Sequence, residues 1–440
     1  MNLQIPKREF PLRSLADKIL PSQFTSKINC ASALAGIGLA LISSSSLASS
    51  TMVEAPQEPE TFRQCISDLQ NEALDAGVSE STVTQVLGNS KFISKVIQYD
   101  RKQPEFVQTF SNYFGKRVNN WRIDKGQQLY RKHKKLLQKL SAQYGVPAHY
   151  LVAFWGLETN FGRYKGKMPI IDSLTTLACD PRRSDFFSGE LIQALLLMER
   201  EQIGIDTMLG SWAGAMGHTQ FMPSAYMRYA VDGDQDGKAD LWNSVPDALT
   251  SAANFLNNLG WERGYRWGRE VSLPEGFNYQ LAGKDQQYSL SYWAEQGLTQ
   301  TNGKAIGKAD IKASLLVPAG HEGPAFLVYD NFDVIMKWNR SEFYAIAVGH
   351  LADRISGQTK LSKTLPDLPV YSLDDVRKMQ TRLNELGFDV GSADGIMGPA
   401  TRKGIRDFQA SIKMTADGFP NSQVFQALQN AINTGEAPQT

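Results

Sequence analysis

The sequence predicts a mainly α protein of the α+β class, with a large helical body, a small mixed subdomain and a separate three-helix unit at the C-terminal end. Three observations carry that expectation. Apolar residues recur at helical spacing from residue 62 to about 260. Between about 270 and 330, Gly and polar residues are interleaved with short apolar runs, the pattern of strands and extended loops. A compact unit with its own helical period runs from 371 to about 431. The chain length of 440 residues, at roughly 150 per domain, allows about three such units. Apolar residues make up 42% and charged residues 21%, enough to bury a large core. Lys+Arg 46 against Asp+Glu 45 gives a net +1, which argues against a broad basic face for nucleic acid and against a strongly acidic chain. Three cysteines exclude a disulfide scaffold and a cysteine zinc cage, and the five scattered histidines form no H-E-x-x-H.

Residues 1–48 read as a secretory signal. Lys7, Arg8, Arg13, Lys18 and Lys27 outnumber Glu9 and Asp17, the run from Ile28 to Ile42 is apolar, and Leu47-Ala48 supplies a small-residue cleavage site. The run is short for a membrane span, which takes about 20 residues, so an uncleaved anchor is the second reading. Cys30 lacks the surroundings of a lipoprotein site. Export puts Cys65 and Cys179 where thiols can oxidise; pairing and two separate buried thiols are both compatible with the sequence. Residues 49–61, polar with Pro56 and Pro59, form a linker.

The body, 62–356, follows. Trp121 to Leu140 shows an apolar and a basic face. Pro147 opens a helix whose interior, Leu151-Val152-Ala153-Phe154-Trp155, is apolar all round and therefore buried. Glu158 closes it on the stripe of Leu151, Phe154 and Trp155, and Asn160 and Gly162 break it. A carboxylate at the mouth of such a helix is poorly solvated, which disfavours the anion and raises its pKa, as a general acid near neutral pH requires. The competing reading is a helix-end Glu paired with Arg163 or a backbone amide. Asp185 to Glu201 repeats Phe187, Leu191, Ala194 and Met198 at helical spacing. The segment Ser211-Trp212-Ala213-Gly214-Ala215-Met216-Gly217-His218-Thr219-Gln220-Phe221-Met222-Pro223 mixes small residues, Met and aromatics with polar tips. Its glycines allow a close backbone approach, and Gln220 both donates and accepts, as sugar hydroxyls demand.

In the loop 232–247, Asp232, Asp234, Asp236 and Asp240 take positions 1, 3, 5 and 9 of an EF-hand, with Gly237 at 6 and the Lys238 carbonyl at 7. Position 12 is Asn243, and Asp247 is the next carboxylate. Four acids this close repel without a cation, so a structural Ca²⁺ is expected; a solvated acidic turn is the alternative. Pro246 to Leu259 is helical, Ser314–Val317 and Ala325–Tyr329 are short apolar runs, Ser341 to Ile355 returns to helix, and 357–370 forms a second linker.

In the terminal unit, 371–431, Val376, Met379, Leu383 and Leu386 share a helical face that Gly387 ends. Asp394-Gly395 and Asp417-Gly418 make tight turns before two further helices. The pattern Leu383…Leu386-Gly387, Asp394-Gly395…Gly398…Thr401 and Phe408-Gln409…Asp417-Gly418 closely resembles the helical type of peptidoglycan-binding domain, which implies binding to cell-wall murein.

Trp155-Gly156-Leu157-Glu158-Thr159-Asn160-Phe161-Gly162 and the 211–223 segment together resemble the membrane-bound lytic murein transglycosylase B family, over residues 62–355. Asp172-Ser173-Leu174-Thr175-Thr176-Leu177-Ala178 and Phe186-Phe187-Ser188-Gly189-Glu190-Leu191 fit it too. The resemblance implies a lysozyme-like helical fold with a small extra domain and a periplasmic place of work. It implies Glu158 as the sole catalytic acid/base, with Ser211, Met216 and Gln220 lining the cleft. A Tyr-Asn pair of the family corresponds to Trp338-Asn339, where Trp keeps an aromatic wall and lacks the hydroxyl. Tyr113, Phe187 and Phe255 stand where the family packs aromatic residues on sugar, and Asp247 where it uses a late loop acid. The implied substrate is the glycan strand of peptidoglycan and the product a 1,6-anhydro-MurNAc end, with no cofactor needed for the chemistry. A monomer is expected, with other cell-wall enzymes as partners and no nucleic acid. A hydrolytic muramidase needs a second carboxylate, and a non-catalytic wall-binding protein needs only the terminal module; both are the alternatives.

Overall fold

The computed structural model describes residues 60–102 and 108–434. The signal, Cys30 and nearly all of the first linker lie outside the described residues. Among the described residues no helix is long and apolar enough to cross a membrane.

The organising element is the Ala148–Thr159 helix. Ten of its twelve residues are buried. A helix apolar all round needs neighbours on every side, and Asn120–Lys132, Lys134–Tyr144, Val245–Asn258 and Glu342–Ile355 supply them. The basic and apolar stretch expected as one run from Trp121 is thus two helices that break at His133. A second core forms where Ile170–Ala178 packs on Ser184–Glu201 and Pro223–Tyr229. Cys179 caps the first of these helices and is joined to Cys65 on Glu60–Asp75 by a disulfide, so the two cysteines pair. Buried Asp100 draws in Arg182 and Arg183 beside it, and their guanidinium groups hold its carboxyl below the usual range against the opposing effect of burial.

The mixed subdomain is a five-stranded antiparallel sheet in the order Tyr288–Ser289, Lys312–Leu316, Ala325–Val328, Gly268–Ser272, Thr299–Gln300. Its central strand, Ala325–Val328, is buried at every position, as a strand covered on both faces should be. The chain leaves this strand directly into the Asp330–Trp338 helix, which returns to the main core.

Residues 357–370 have no regular structure, yet they are docked and not free. Glu270 accepts from the Ser362 backbone N–H and hydroxyl, Lys363 Nζ donates to the His321 carbonyl, and Leu368 is buried in the main core. The terminal helices Leu373–Glu385, Pro399–Ser411 and Ser422–Thr434 enclose their own core. Its two Asp-Gly turns are held alike. Gln380 donates to Asp394 Oδ1 and accepts from the Gly395 N–H; Gln409 donates to Asp417 Oδ1 and accepts from the Gly418 N–H. Both glutamines are buried, so each amide is spent on fixing a turn.

The disulfide spans a sequence separation of 114 residues. Closing a loop of that size removes about 4–5 kcal/mol of unfolded-chain entropy. Replacing Cys65 and Cys179 by Ala should therefore lower the calorimetric melting midpoint, by roughly 10 °C. The wild type in reductant should melt like the variant.

Candidate active site

Glu158 sits in the last turn of the buried helix and is half-buried. Asn160 ends the helix in the left-handed region at φ 50°, followed by Phe161 at 61° and Gly162 at 78°. Three such residues in a row turn the chain sharply away and leave the Glu158 side chain at the helix mouth. The Trp338 indole N–H donates to Glu158 Oε1 at 3.0 Å, and the Tyr344 hydroxyl donates to the same oxygen. Oε2 carries no hydrogen bond from the described residues. Burial pushes the carboxyl up from 4.5 to about 7. Tyr344, Trp338 and the Arg117 guanidinium pull the other way but do not cancel it. No carboxylate of the described residues is among the groups acting on it. The pairing with Arg163 is not made: that guanidinium lies 5.4 Å over the Trp121 ring.

Trp338 is built into an aromatic wall. Its ring lies 4.6 Å from Phe154, 5.1 Å from Phe255 and 5.5 Å from Phe221. Phe255 is half-buried and stacks on Tyr229 at 4.6 Å. The Trp338 indole N–H and the Tyr344 hydroxyl thus both serve the same carboxyl oxygen. Tyr344 was not singled out in the sequence; the signal available was its place in the first turn of a helix capped by Ser341, five residues past Asn339. Asn339 itself is exposed at the end of the Asp330–Trp338 helix.

The 211–223 segment is folded on itself. Ser211 Oγ accepts from the N–H groups of Ala213 and Ala215, so one face of this hydroxyl shapes a turn. Gln220, at φ 52°, donates from Nε2 to the carbonyls of Lys165 and Gly217, which ties this segment to the loop after Glu158. Three of the expected wall residues are buried. Met216 is 0%, Phe187 1% and Tyr113 5% exposed. Met216 and Phe187 belong to the second core, and Tyr113 packs beside Phe343 under Arg117. They shape the wall from behind, because apolar side chains at these positions gain more from leaving water than from facing a cleft.

His218 is a residue the sequence did not mark. Its Nδ1 accepts from the Trp155 indole at 3.0 Å, and its carbonyl accepts from the Thr159 hydroxyl at 2.7 Å. Burial, with nearby Lys165, lowers its pKa to about 4, so the ring is neutral and acts as a strut.

In the acidic loop, Asp232, Asp234 and Asp247 each place an oxygen within 4.8 Å of the others. Asp232 also accepts from the N–H groups of Gln235, Asp236 and Gly237, and buried Asp247 from those of Gly233, Asp234 and Asp240. Asp236 does not join this trio; its carboxylate accepts from the Lys238 N–H, and Lys238 is exposed. Asp240 caps the turn at Trp242 and Asn243.

A mostly helical body built around a buried helix, with a separate three-helix module, is the architecture of a lysozyme-like protein with a C-terminal helical binding domain. The chain belongs to the family described as Transglycosylase SLT domain, which matches residues 61–353. A second family, described as Putative peptidoglycan binding domain, matches residues 372–428. The chain is 36% identical over 240 residues to the membrane-bound lytic murein transglycosylase B of Escherichia coli (strain K12). That match takes in 53% of this chain and 64% of the relative, so the chain spans less than two thirds of that relative's length. The crystal structure of SltB3 from Pseudomonas aeruginosa in complex with NAG-NAM-pentapeptide is similar at 39% identity and a TM-score of 0.80, over 84% of this chain and 100% of that one. The Escherichia coli lytic transglycosylase SLT35 in complex with calcium is similar at 31% identity and a TM-score of 0.57, over 68% and 93%.

The folded state holds the Glu158 proton more tightly than the unfolded chain does, about 7 against 4.5. Its contribution to stability is therefore complete below about pH 4.5 and is lost as pH rises through about 7. Glu158→Gln should melt near the wild type at pH 4 and above it at pH 8. Trp338→Phe, which removes a donor to the anion, should move that transition to higher pH. Melting curves across pH check both.

Proposed function

We propose that the chain is a lytic murein transglycosylase that cuts the bond between MurNAc and GlcNAc and leaves a 1,6-anhydro-MurNAc end. The observation that carries this reading is Glu158, a single carboxyl pushed up to about 7 by burial, with Oε1 held by two donors and Oε2 bonded by none of the described residues. Protonated Glu158 gives its proton to the glycosidic oxygen as the bond from that oxygen to C1 of MurNAc breaks. Positive charge develops at C1 and the ring oxygen. The C6 hydroxyl of the same MurNAc attacks C1, and its proton passes to Glu158. The acid is restored and no water is consumed, so one carboxyl serves both halves of the reaction. Intramolecular attack gains from a high effective molarity, which removes the need for a second carboxylate.

Trp338 and Tyr344 are positioning residues in this scheme. They fix Oε1 and stabilise the anion formed after the first transfer, each hydrogen bond to a charged group contributing about 1.5–3 kcal/mol. Ser211, Gln220, Asn339 and Phe255 are assigned to sugar contact. The relative SltB3 was crystallised with muropeptide fragments. The terminal module's resemblance supports murein as the surface it binds, and murein as substrate supports an exported, periplasmic chain.

The acidic loop suits Ca²⁺. Its donors are hard carboxylate oxygens, Gly237 is left-handed at loop position 6, and buried Asp247 has no cationic side-chain partner among the described residues. Asp232, Asp234 and Asp247, with the Lys238 carbonyl, would hold it, and it would brace the loop without entering the chemistry. The relative SLT35 was crystallised in complex with calcium.

Digesting purified sacculi and weighing the released muropeptides tests the main reading. The expected fragments are one water lighter than hydrolysed ones, and Glu158→Gln should lower their yield by at least three orders of magnitude. Hydrated fragments would make the chain a muramidase, and near-wild-type turnover by Glu158→Gln would remove Glu158 from its role. For the loop, EGTA should lower the melting midpoint and added Ca²⁺ restore it, with Asp247→Asn insensitive to both.

A further inference from the structure

The net charge of +1 conceals a segregated basic region. Between Lys116 and Lys139 the chain carries nine Lys and Arg against one acid, Asp124. Beside this region a cavity of about 450 Å³ opens between the Asn120–Lys132 helix, the end of the Ala148–Thr159 helix and His218. Trp155 and Phe161 are its buried aromatic wall, and Trp121, 43% exposed, stands at its rim. Lys125, Lys132 and Arg163 are its cations, and no carboxylate lines it. None of the three forms an ion pair among the described residues. Lys125 Nζ donates to Gln128, and Arg163 covers the Trp121 ring. Burial lowers the pKa of both lining histidines, His133 and His218, the second to about 4. Glu158, Ser211, Gln220 and Trp338 do not line it; this is not the cleft.

Three cations with no counter-ion beside desolvated rings repel one another until an anion arrives. The cavity is half-open and has the volume of a small-ligand site, which suits a compact ligand. We propose that it is a second, non-catalytic binding site for the stem peptide carried by murein strands. The carboxylates of the peptide would meet Lys125, Lys132 and Arg163, and its alanine methyl groups would lie on Trp155 and Phe161. This rests on the murein reading above and names where the peptide part of that substrate binds. Trp155 lies three residues before Glu158 on one helix, so an occupied cavity sets the strand close to the acid.

The test is calorimetric titration of the full chain with the free pentapeptide L-Ala-D-Glu-L-Lys-D-Ala-D-Ala and with the same peptide amidated at its carboxylates. The free peptide should bind and shift the Trp121 indole N–H resonance, assigned through Trp121→Phe. The amidated peptide should bind at least tenfold more weakly. Lys125→Glu with Lys132→Glu should weaken the free peptide at least tenfold, the milder Lys125→Gln with Lys132→Gln by a smaller factor, and both should clear peptide-free glycan strands as the wild type does. Equal binding of the two peptides, unchanged affinity in both double variants, or no binding at millimolar peptide would overturn the proposal. Loss of binding to phosphatidylglycerol vesicles in the double variants, with no peptide binding by the wild type, would overturn it in favour of an anionic lipid. Peptide binding with no cleavage of any strand would support the cavity and remove the cleavage reading, which separates the two.

Discussion

The site depends on an ionisable group kept in an apolar place. Glu158 ends a helix whose other faces are taken up by packing, and that packing is what denies its carboxyl full solvation. Water is the best solvent for an anion, so the protein must supply substitutes if Glu158 is to cycle between acid and base. It supplies two, both on Oε1 and both from chain nearly two hundred residues away. Trp338 arrives there because the Asp330–Trp338 helix is held at its start by Asn331. That fully buried amide accepts from the Glu262 N–H and donates to the carbonyls of Glu262 and Tyr265. An unsatisfied amide there would cost about 1–3 kcal/mol, so the helix has one docking position. The loop after the Val245–Asn258 helix thereby fixes where Trp338 meets the acid.

A second set of constraints joins the helix mouth to the glycine-rich segment. The Thr159 hydroxyl bonds to the His218 carbonyl, and the Gly162 N–H bonds to the Thr159 hydroxyl. Lys165 reaches the Trp242 carbonyl, and the His218 N–H bonds to the Leu241 carbonyl. A Cβ at Gly162 would lie 2.1 Å from the His218 ring, so this packing admits only glycine. Through Leu241 and Trp242 the acidic loop is tied to the same network. A cation bound at 232–247 would therefore brace the cleft wall through the backbone beneath it.

What was legible in the sequence was local. The all-apolar run 151–155 announced a buried helix, Asn160 and Gly162 announced its end, and the acid between them announced the site. The loop spacing announced Asp232 and Asp234, while the helical periods and Asp-Gly turns announced the terminal unit. What was not legible was the pairing of distant groups. Tyr344 is one buried aromatic among many in a helix, and only the fold shows which one turns its hydroxyl to Oε1. The joining of Cys65 to Cys179 and the burial of Met216, Phe187 and Tyr113 are likewise outcomes of tertiary packing. Net charge misled for the opposite reason: it averages over the chain, whereas nine cations fall between Lys116 and Lys139.

The segment 357–370 changes how the two functional parts relate. Pro-containing polar chain of this length, if free, would act as a tether, and the terminal module would only raise the local concentration of wall near the cleft. Here the segment is spent on contacts with Glu270, His321 and the main core. The module adds a contact of its own: Asp417 Oδ2 accepts the His321 backbone N–H at 2.8 Å and lies 2.7 Å from its ring Nδ1. Phe419, in the same turn, packs close against Gly320. Asp417 belongs to the second Asp-Gly turn, so that turn is covered by the sheet subdomain and the matching turn at Asp394 is not. The two turns are built alike and used differently. The Asp417 turn serves as a joint between the module and the sheet subdomain, and the Asp394 turn is left to solvent.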